Sequence, residues 1–248
     1  MPEFLIDRFR RGLSPSARTT LRRWADRFFS GLGSINGARN GTDHVAITFD
    51  DGPDPQITPL MLDMLKARGC RATFFLLTDK AELDPAMVRR MISEGHEVGL
   101  HCDRHDRLTA LPLDVVRKRL IAARRSLEAV AGPIRFFRPP FGGQSFGTYF
   151  IARRLGLEVV TWGPIAEDWV DQPPENAADL ALNTMRGGDI LLLHDGMEME
   201  PGVAPPKIDR VRVAELVIDG MRQRGLTPTT VGGLLERAGP RLSPWFRY

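Results

Sequence analysis

The chain has 248 residues, 42% of them hydrophobic, with a formal net charge of +3 and two cysteines. That length can bury one large core and matches the roughly 250 residues that an α/β barrel uses as a single domain. Two cysteines exclude a disulfide framework, and a small positive charge without a recognition motif excludes a nucleic-acid-binding reading.

At the start of the chain, Leu21, Trp24 and Phe28 recur at helical spacing, preceded by Phe4, Leu5 and Phe9. Arg8, Arg10, Arg11, Arg22, Arg23 and Arg27 crowd the polar side. Residues 1–40 are therefore expected to form a basic amphipathic helical extension. Such a helix either caps the main domain, which is the plainer expectation, or lies on anionic lipid through residues 1–30. No apolar run of about 7–15 residues stands near the N-terminus, so neither a secretory signal nor a membrane span is expected. The expected location is the cytoplasm, with peripheral membrane contact as the alternative.

Strand candidates follow in order at Val45–Asp50, Ala72–Leu77, Glu97–Leu100, Arg135–Arg138, Glu158–Trp162 and Asp189–Leu193. A last one, Pro228–Thr230, is weak because proline suits only the first position of a strand. Helical patterns lie between them at Thr58–Arg68, Pro85–Glu94, Leu113–Val130, Phe146–Leu155, Glu175–Arg186 and Arg210–Arg224. Gly69, Gly95, Gly132, Gly156, Gly187 and Gly225 stand where left-handed residues would end them. Apolar strands alternating with helices predict a parallel sheet covered on its outer face.

Several strand ends carry polar chemistry. Asp50 and Asp51 close the first strand before Gly52-Pro53, and strict alternation would send them to opposite faces. One carboxylate could bind a cation while the other takes a proton from water, although Asp-Gly-Pro is also ordinary turn chemistry. His101 and His105 follow the next apolar segment four residues apart, a spacing that stacks both rings on one side of a helical turn. With Asp51 they would make three ligands and leave a position open for water. Arg138 stands between aromatics and a Pro-Pro-Phe-Gly turn. His194 ends a fully apolar strand, as a core histidine or as a site residue. Titratable residues at several strand ends are how α/β barrels build sites on their carboxyl face.

These segments resemble the polysaccharide deacetylases, the chitooligosaccharide (nodulation) deacetylase family of carbohydrate esterases. The family motifs T-F-D-D-G-P, H-[ST]-x-x-H, R-P-P-[YF]-G, D-x-x-D-W and L-x-H-D appear in order. Here they are Thr48–Pro53, His101–His105, Arg138–Gly142, Ile165–Trp169 and Leu192–Asp195. The resemblance implies a distorted (β/α)7 barrel over residues 41–240, leaving 241–248 as a C-terminal tail. It implies Asp50 as general base, with Asp51, His101 and His105 as ligands of one divalent metal. Arg138 would orient Asp50, His194 would be the general acid, and Asp168 would keep His194 protonated. Substrate would meet Pro140, the Phe141 amide, Trp169 and Leu192. Zinc suits this mixed ligand set first, with cobalt, nickel, manganese or iron as alternatives.

Three departures bear on the substrate. Ile165 replaces the first acid of D-x-x-D-W, with Glu167 as a candidate stand-in. Cys102 replaces the usual hydroxyl residue between the metal histidines and is a weaker donor; it could also act as a fourth ligand. Trp162-Gly163-Pro164 lacks the serine often found there. The Gly- and Pro-rich loop Gly196–Pro206 either shapes the pocket or simply connects. The leading expectation is a metal-dependent N-deacetylase of an N-acetylated amino sugar, an oligosaccharide or a smaller glycoside. Two alternatives stand beside it: a deacetylase or deformylase of a small or lipid-linked biosynthetic metabolite, and a non-catalytic carbohydrate-binding relative.

Overall fold

A computed structural model of the chain describes residues 33–39, 41–199 and 203–244. The amphipathic segment expected over residues 1–30, with its lipid contact, lies outside these. Strand β2 (His44–Gly52) is the centre of the sheet. Val45, Ile47 and Phe49 face the core beneath the helices, while Ala46 faces the barrel interior. Each such buried aliphatic or aromatic side chain stabilises the fold by about 1.5–3 kcal/mol relative to an exposed one.

β3 (Thr73–Leu76) and β7 (Ile190–His194) flank β2. β4 (Glu97–Leu100), β5 (Phe136–Phe137) and β6 (Glu158–Val159) continue the sheet beyond β3. The strand order is β6-β5-β4-β3-β2-β7, with β8 (Thr227–Thr229) against the first residues of β2, and every pairing is parallel. The sheet curls into the distorted barrel expected from the motifs. Pro228 sits mid-strand in β8, which is tolerated because β8 pairs on one side only.

Helices α1 (Ile57–Ala67), α2 (Thr78–Leu83), α3 (Pro85–Ser93), α4 (Leu113–Ala131), α5 (Phe146–Arg154), α6 (Pro174–Thr184), α7 (Arg210–Gln223) and α8 (Val231–Ala238) complete the chain. Neither α2 nor α8 was expected. α8 places Val231, Leu234 and Leu235 against Phe75, Phe136, Val160 and Ile190 in the interior. Its first free amides are taken by the amino ends of the strands: Val231 N–H donates to Thr73 Oγ1 and Gly232 N–H to the Glu97 carboxylate. Of the expected helix-ending glycines, Gly187 does not end its helix: α6 stops at Thr184, and Met185 turns extended there.

The gap between β6 and β7 is closed by the chain's outer segments. β1 (Ser34–Ala38) bridges Val160 through Ile35 and Asp189 through Gly37, and pairs antiparallel with β9 (Pro240–Ser243). Further along, Ile165 bridges Leu192. Residues 34–38 are thus strand, not helical extension. Boundaries drawn after residues 40 and 240 cut through a ribbon that closes the barrel. Pairing between segments about 200 residues apart leaves no local pattern to reveal it.

Candidate metal centre and active site

The carboxyl end of β2 does not keep strict alternation. Asp50 pairs with Phe75 and Gly52 with Leu76, so Asp51 is an extra residue in the ladder, with φ 69. This bulge re-aims its side chain. Two consecutive carboxylates, both buried, thereby turn toward one site instead of opposite faces.

His101 and His105 lie on a loop and not on the expected helical turn, because Cys102 takes φ 87. Their rings still approach to 5.3 Å between centroids. The loop is held from two sides. The first amides of α2, Thr78 and Asp79, donate to the carbonyls of Cys102 and Asp103. Arg119 of α4 grips Asp103 at 2.7–2.9 Å and Asp106 at 2.8 Å. The Cys102 Sγ turns to the Asp103 carboxylate at 3.0 Å, so it is not a fourth ligand.

Asp51 Oδ1 lies 3.2 Å from His101 Nε2 and 3.4 Å from His105 Nε2. The three side chains gather their donor atoms within 4.8 Å of one another. His101 Nδ1 is 2.7 Å from the Arg138 carbonyl, which fixes the N–H there and leaves the Nε2 lone pair facing Asp51. Burial pushes the His105 imidazole down to about 4, so it is neutral. Asp51 Oδ1 is buried and receives no hydrogen bond from the described residues. Electron-rich atoms facing one another in a buried site fit a cation between them.

Asp50 sits beside this cluster, its Oδ2 4.0 Å from His101 Nε2. Arg138 is completely buried and donates from Nη1 to Asp50 Oδ1 at 2.7 Å and to Thr48 Oγ1 at 2.6 Å. Its Nη2 donates to the Thr161 carbonyl, and the guanidinium lies 4.1 Å from the Phe75 ring centroid. Burial depresses the Arg138 pKa, but the Asp50 carboxylate opposes that and supplies the matching charge. The Nε has no hydrogen-bond partner among the described residues. Neither Ile165 nor Glu167 fills that gap: Ile165 lines a cavity of about 400 Å³ with Pro164 and Leu180, and the Glu167 carboxylate accepts no bond from the Arg138 Nε.

On the other side, Asp168 accepts from His194 twice, from the backbone N–H and from Nδ1, each at 2.8 Å. Burial alone would lower the His194 pKa. Asp168, aided by Asp51 and Asp50, overrides it and carries the imidazole up to about 9. The Trp169 ring meets His194 edge-on with centroids 5.3 Å apart.

Residues 37–160 match the family model described as polysaccharide deacetylase. A chitooligosaccharide deacetylase from Sinorhizobium fredii is 34% identical over 66% of this chain and 78% of its own length. A peptidoglycan-N-acetylglucosamine deacetylase from Bacillus cereus is 31% identical over 79% and 90%. The chain belongs to the polysaccharide deacetylase family. Its members are hydrolases of non-peptide amide bonds. Among solved structures, a peptidoglycan N-acetylglucosamine deacetylase superposes with a TM-score of 0.77 at 26% identity, covering 90% of this chain and all of that one. The peptidoglycan deacetylase PdaC from Bacillus subtilis gives 0.68 at 29% identity, over 79% and 91%.

The residues expected to meet substrate divide into rim and wall. Phe141, at φ 58 and 48% exposed, packs on the His105 ring at 4.2 Å between centroids, under the Arg107 guanidinium at 4.7 Å. Trp169 is 37% exposed across the site, whereas Pro140 and Leu192 are buried. Several contributors carry no sequence signal: Arg119, Arg107, and Arg210, whose Nε donates to the Asp168 carbonyl. Thr48 was legible in principle, since it shares the inward parity of Asp50. Asp195 accepts from Thr58 at 2.6 Å and, raised to about 7 by burial, fills the space where a Cβ on Gly52 would lie 2.2 Å from it. Only glycine fits there.

Proposed function

We propose that this chain is a metal-dependent N-deacetylase that hydrolyses the acetamide of an N-acetylated amino sugar to a free amine and acetate. The observation that carries this is Asp51 Oδ1, buried without a donor and facing the nitrogens of His101 and His105, with Asp50 and His194 flanking it. A divalent cation held by Asp51, His101 and His105, zinc by the chemistry of those ligands, supplies a Lewis acid and lowers the pKa of water.

Asp50, oriented by the Arg138 guanidinium at 2.7 Å, takes the proton of the attacking water. The Phe141 amide donates to the developing oxyanion. His194, protonated through Asp168, gives its proton to the departing nitrogen, since an unprotonated amine leaves poorly. Trp169 walls the acid. No covalent intermediate is needed: Cys102 is buried, and burial together with Asp103 pushes its thiol far up, away from nucleophilic thiolate.

The substrate class is drawn from the relatives, one named for chitooligosaccharides and another for peptidoglycan N-acetylglucosamine. A second reading keeps the chemistry and moves it to a small or lipid-linked amide. It is favoured by Ile165 and by an exposed apolar rim of Phe141, Trp169 and Val170. Among the described residues no helix is long and apolar enough to cross a membrane. We place the activity in the cytoplasm, which cell fractionation tests. Acetate release from zinc-loaded protein, compared among chitooligosaccharides, N-acetylglucosamine and a lipid-linked amino sugar, tests the reading. Binding of sugar with no acetate from any substrate would instead make the chain a carbohydrate-binding relative.

A further inference from the structure

Asp51 has a second feature besides its free carboxylate oxygen. Its backbone sits at φ 69, a conformation that a non-glycine residue keeps only where its surroundings impose it. Those surroundings come from the segment after His194 and from α2. Gly196 crosses directly over the Asp51 carbonyl, where an added Cβ would lie 2.2 Å from that oxygen. Lys80 of α2 reaches into the same place. Its Nζ lies 3.0 Å from the Asp51 carbonyl, 3.3 Å from the Met197 carbonyl and 2.9 Å from Glu198 Oε1. An ammonium has three protons to donate, and these three oxygens use them all.

We infer that Lys80 is a positioning residue for the metal: it fixes the left-handed turn at Asp51 by donating to its carbonyl and ties that turn to the segment following His194. The inference rests on the reading of Asp51 as a metal ligand. The cationic donor makes a charge-assisted bond to the carbonyl, stronger than a neutral donor would give. The same α2 holds the loop of His101 and His105 through its first amides. One short helix therefore steadies all three ligands, and Lys80 is its link to the aspartate. The Glu198 pair is more exposed, with 44% of that side chain open, and anchors the segment without touching Asp51.

The test is calorimetric titration of zinc into metal-free protein, a readout independent of which amide is cleaved. Lys80→Met should weaken zinc binding about 10–100-fold, the range for residues that orient metal ligands. Lys80→Arg should recover most of that loss, and Glu198→Ala should bind zinc like the parent. Zinc affinity unchanged in Lys80→Met, or lost equally in Glu198→Ala, overturns the inference. Metal-free Lys80→Met should melt with the parent. If it does not, Lys80→Arg and Glu198→Ala decide: tight binding by both upholds the role, and weak binding by either ends it. A parent that binds zinc but releases no acetate ends the deacetylase reading and leaves this test standing, whereas one that binds no zinc ends both.

Discussion

His96 and His194 are both imidazoles packed at strand ends, one just before β4 and the other closing β7. At the amino end, His96 Nδ1 accepts from the Ala72 amide at 3.2 Å, and the ring meets Phe74 edge-on. Among the described residues no carboxylate bonds to it, and burial pushes it down to about 4. At the carboxyl end, His194 donates to Asp168 and stands at about 9. The same side chain is a neutral strut at one end of the barrel and a charged imidazolium at the other. Burial alone does not select function; the partner does.

The strongest way to break this contrast is to remove charge at the carboxyl end. Asp50→Asn should cut acetate release by about 10²–10⁴-fold, the usual contribution of a general base, while zinc content by elemental analysis stays at the parent level. Asp51→Asn should lose the zinc as well. Retained activity in Asp50→Asn would remove that residue as base.

Asp168→Asn should have the next largest effect. Without its carboxylate the His194 pKa falls toward its ordinary value, so the protonated acid disappears at lower pH. The alkaline limb of the kcat profile should therefore move to lower pH, and kcat measured above that limb should fall. An unmoved limb would assign it to another group.

His96→Gln sharpens the comparison from the other end. It should leave acetate release at the parent level and cost about 1–3 kcal/mol if the Ala72 amide is left unpaired, read by thermal or urea unfolding. The pH dependence has a definite sign. His96 binds its proton less readily folded than unfolded, so its contribution is complete above the unfolded pKa near 6.5 and is lost as pH falls toward about 4. The stability of the parent relative to His96→Phe should therefore fall as pH drops through that window.

How much of this was legible depended on whether the information was local. The ends of β2, β4 and β7 announce themselves because apolar runs end abruptly in Asp50, His101 and His194. The pairing of Asp50 with Arg138 followed from the family motifs and holds in the structure at 2.7 Å. Other features had no local signature. The bulge at Asp51 and the left-handed turn at Cys102 are backbone choices made by the packing around them, so alternation and helical spacing both misdescribed the site. The six residues of α2 are too few to show a helical period, and Gly232-Gly233 disguises α8. The orphan Arg138 Nε was foreshadowed by Ile165, since the missing acid was visible but its consequence needed the fold.

The ribbon of β1 and β9 has a practical consequence for handling the protein. Gly33 and Ser243 are close enough that a Cβ on Gly33 would lie 2.6 Å from the Ser243 carbonyl. Two strand ends held this close suit a circular permutation of residues 33–244. A short linker joining residues 33 and 244, with new termini opened in an exposed connection away from the strand tips, should give a folded barrel. Trimming to residues 44–239 should instead leave β6 and β7 without their seam and expose Val160 and Ile190 to water.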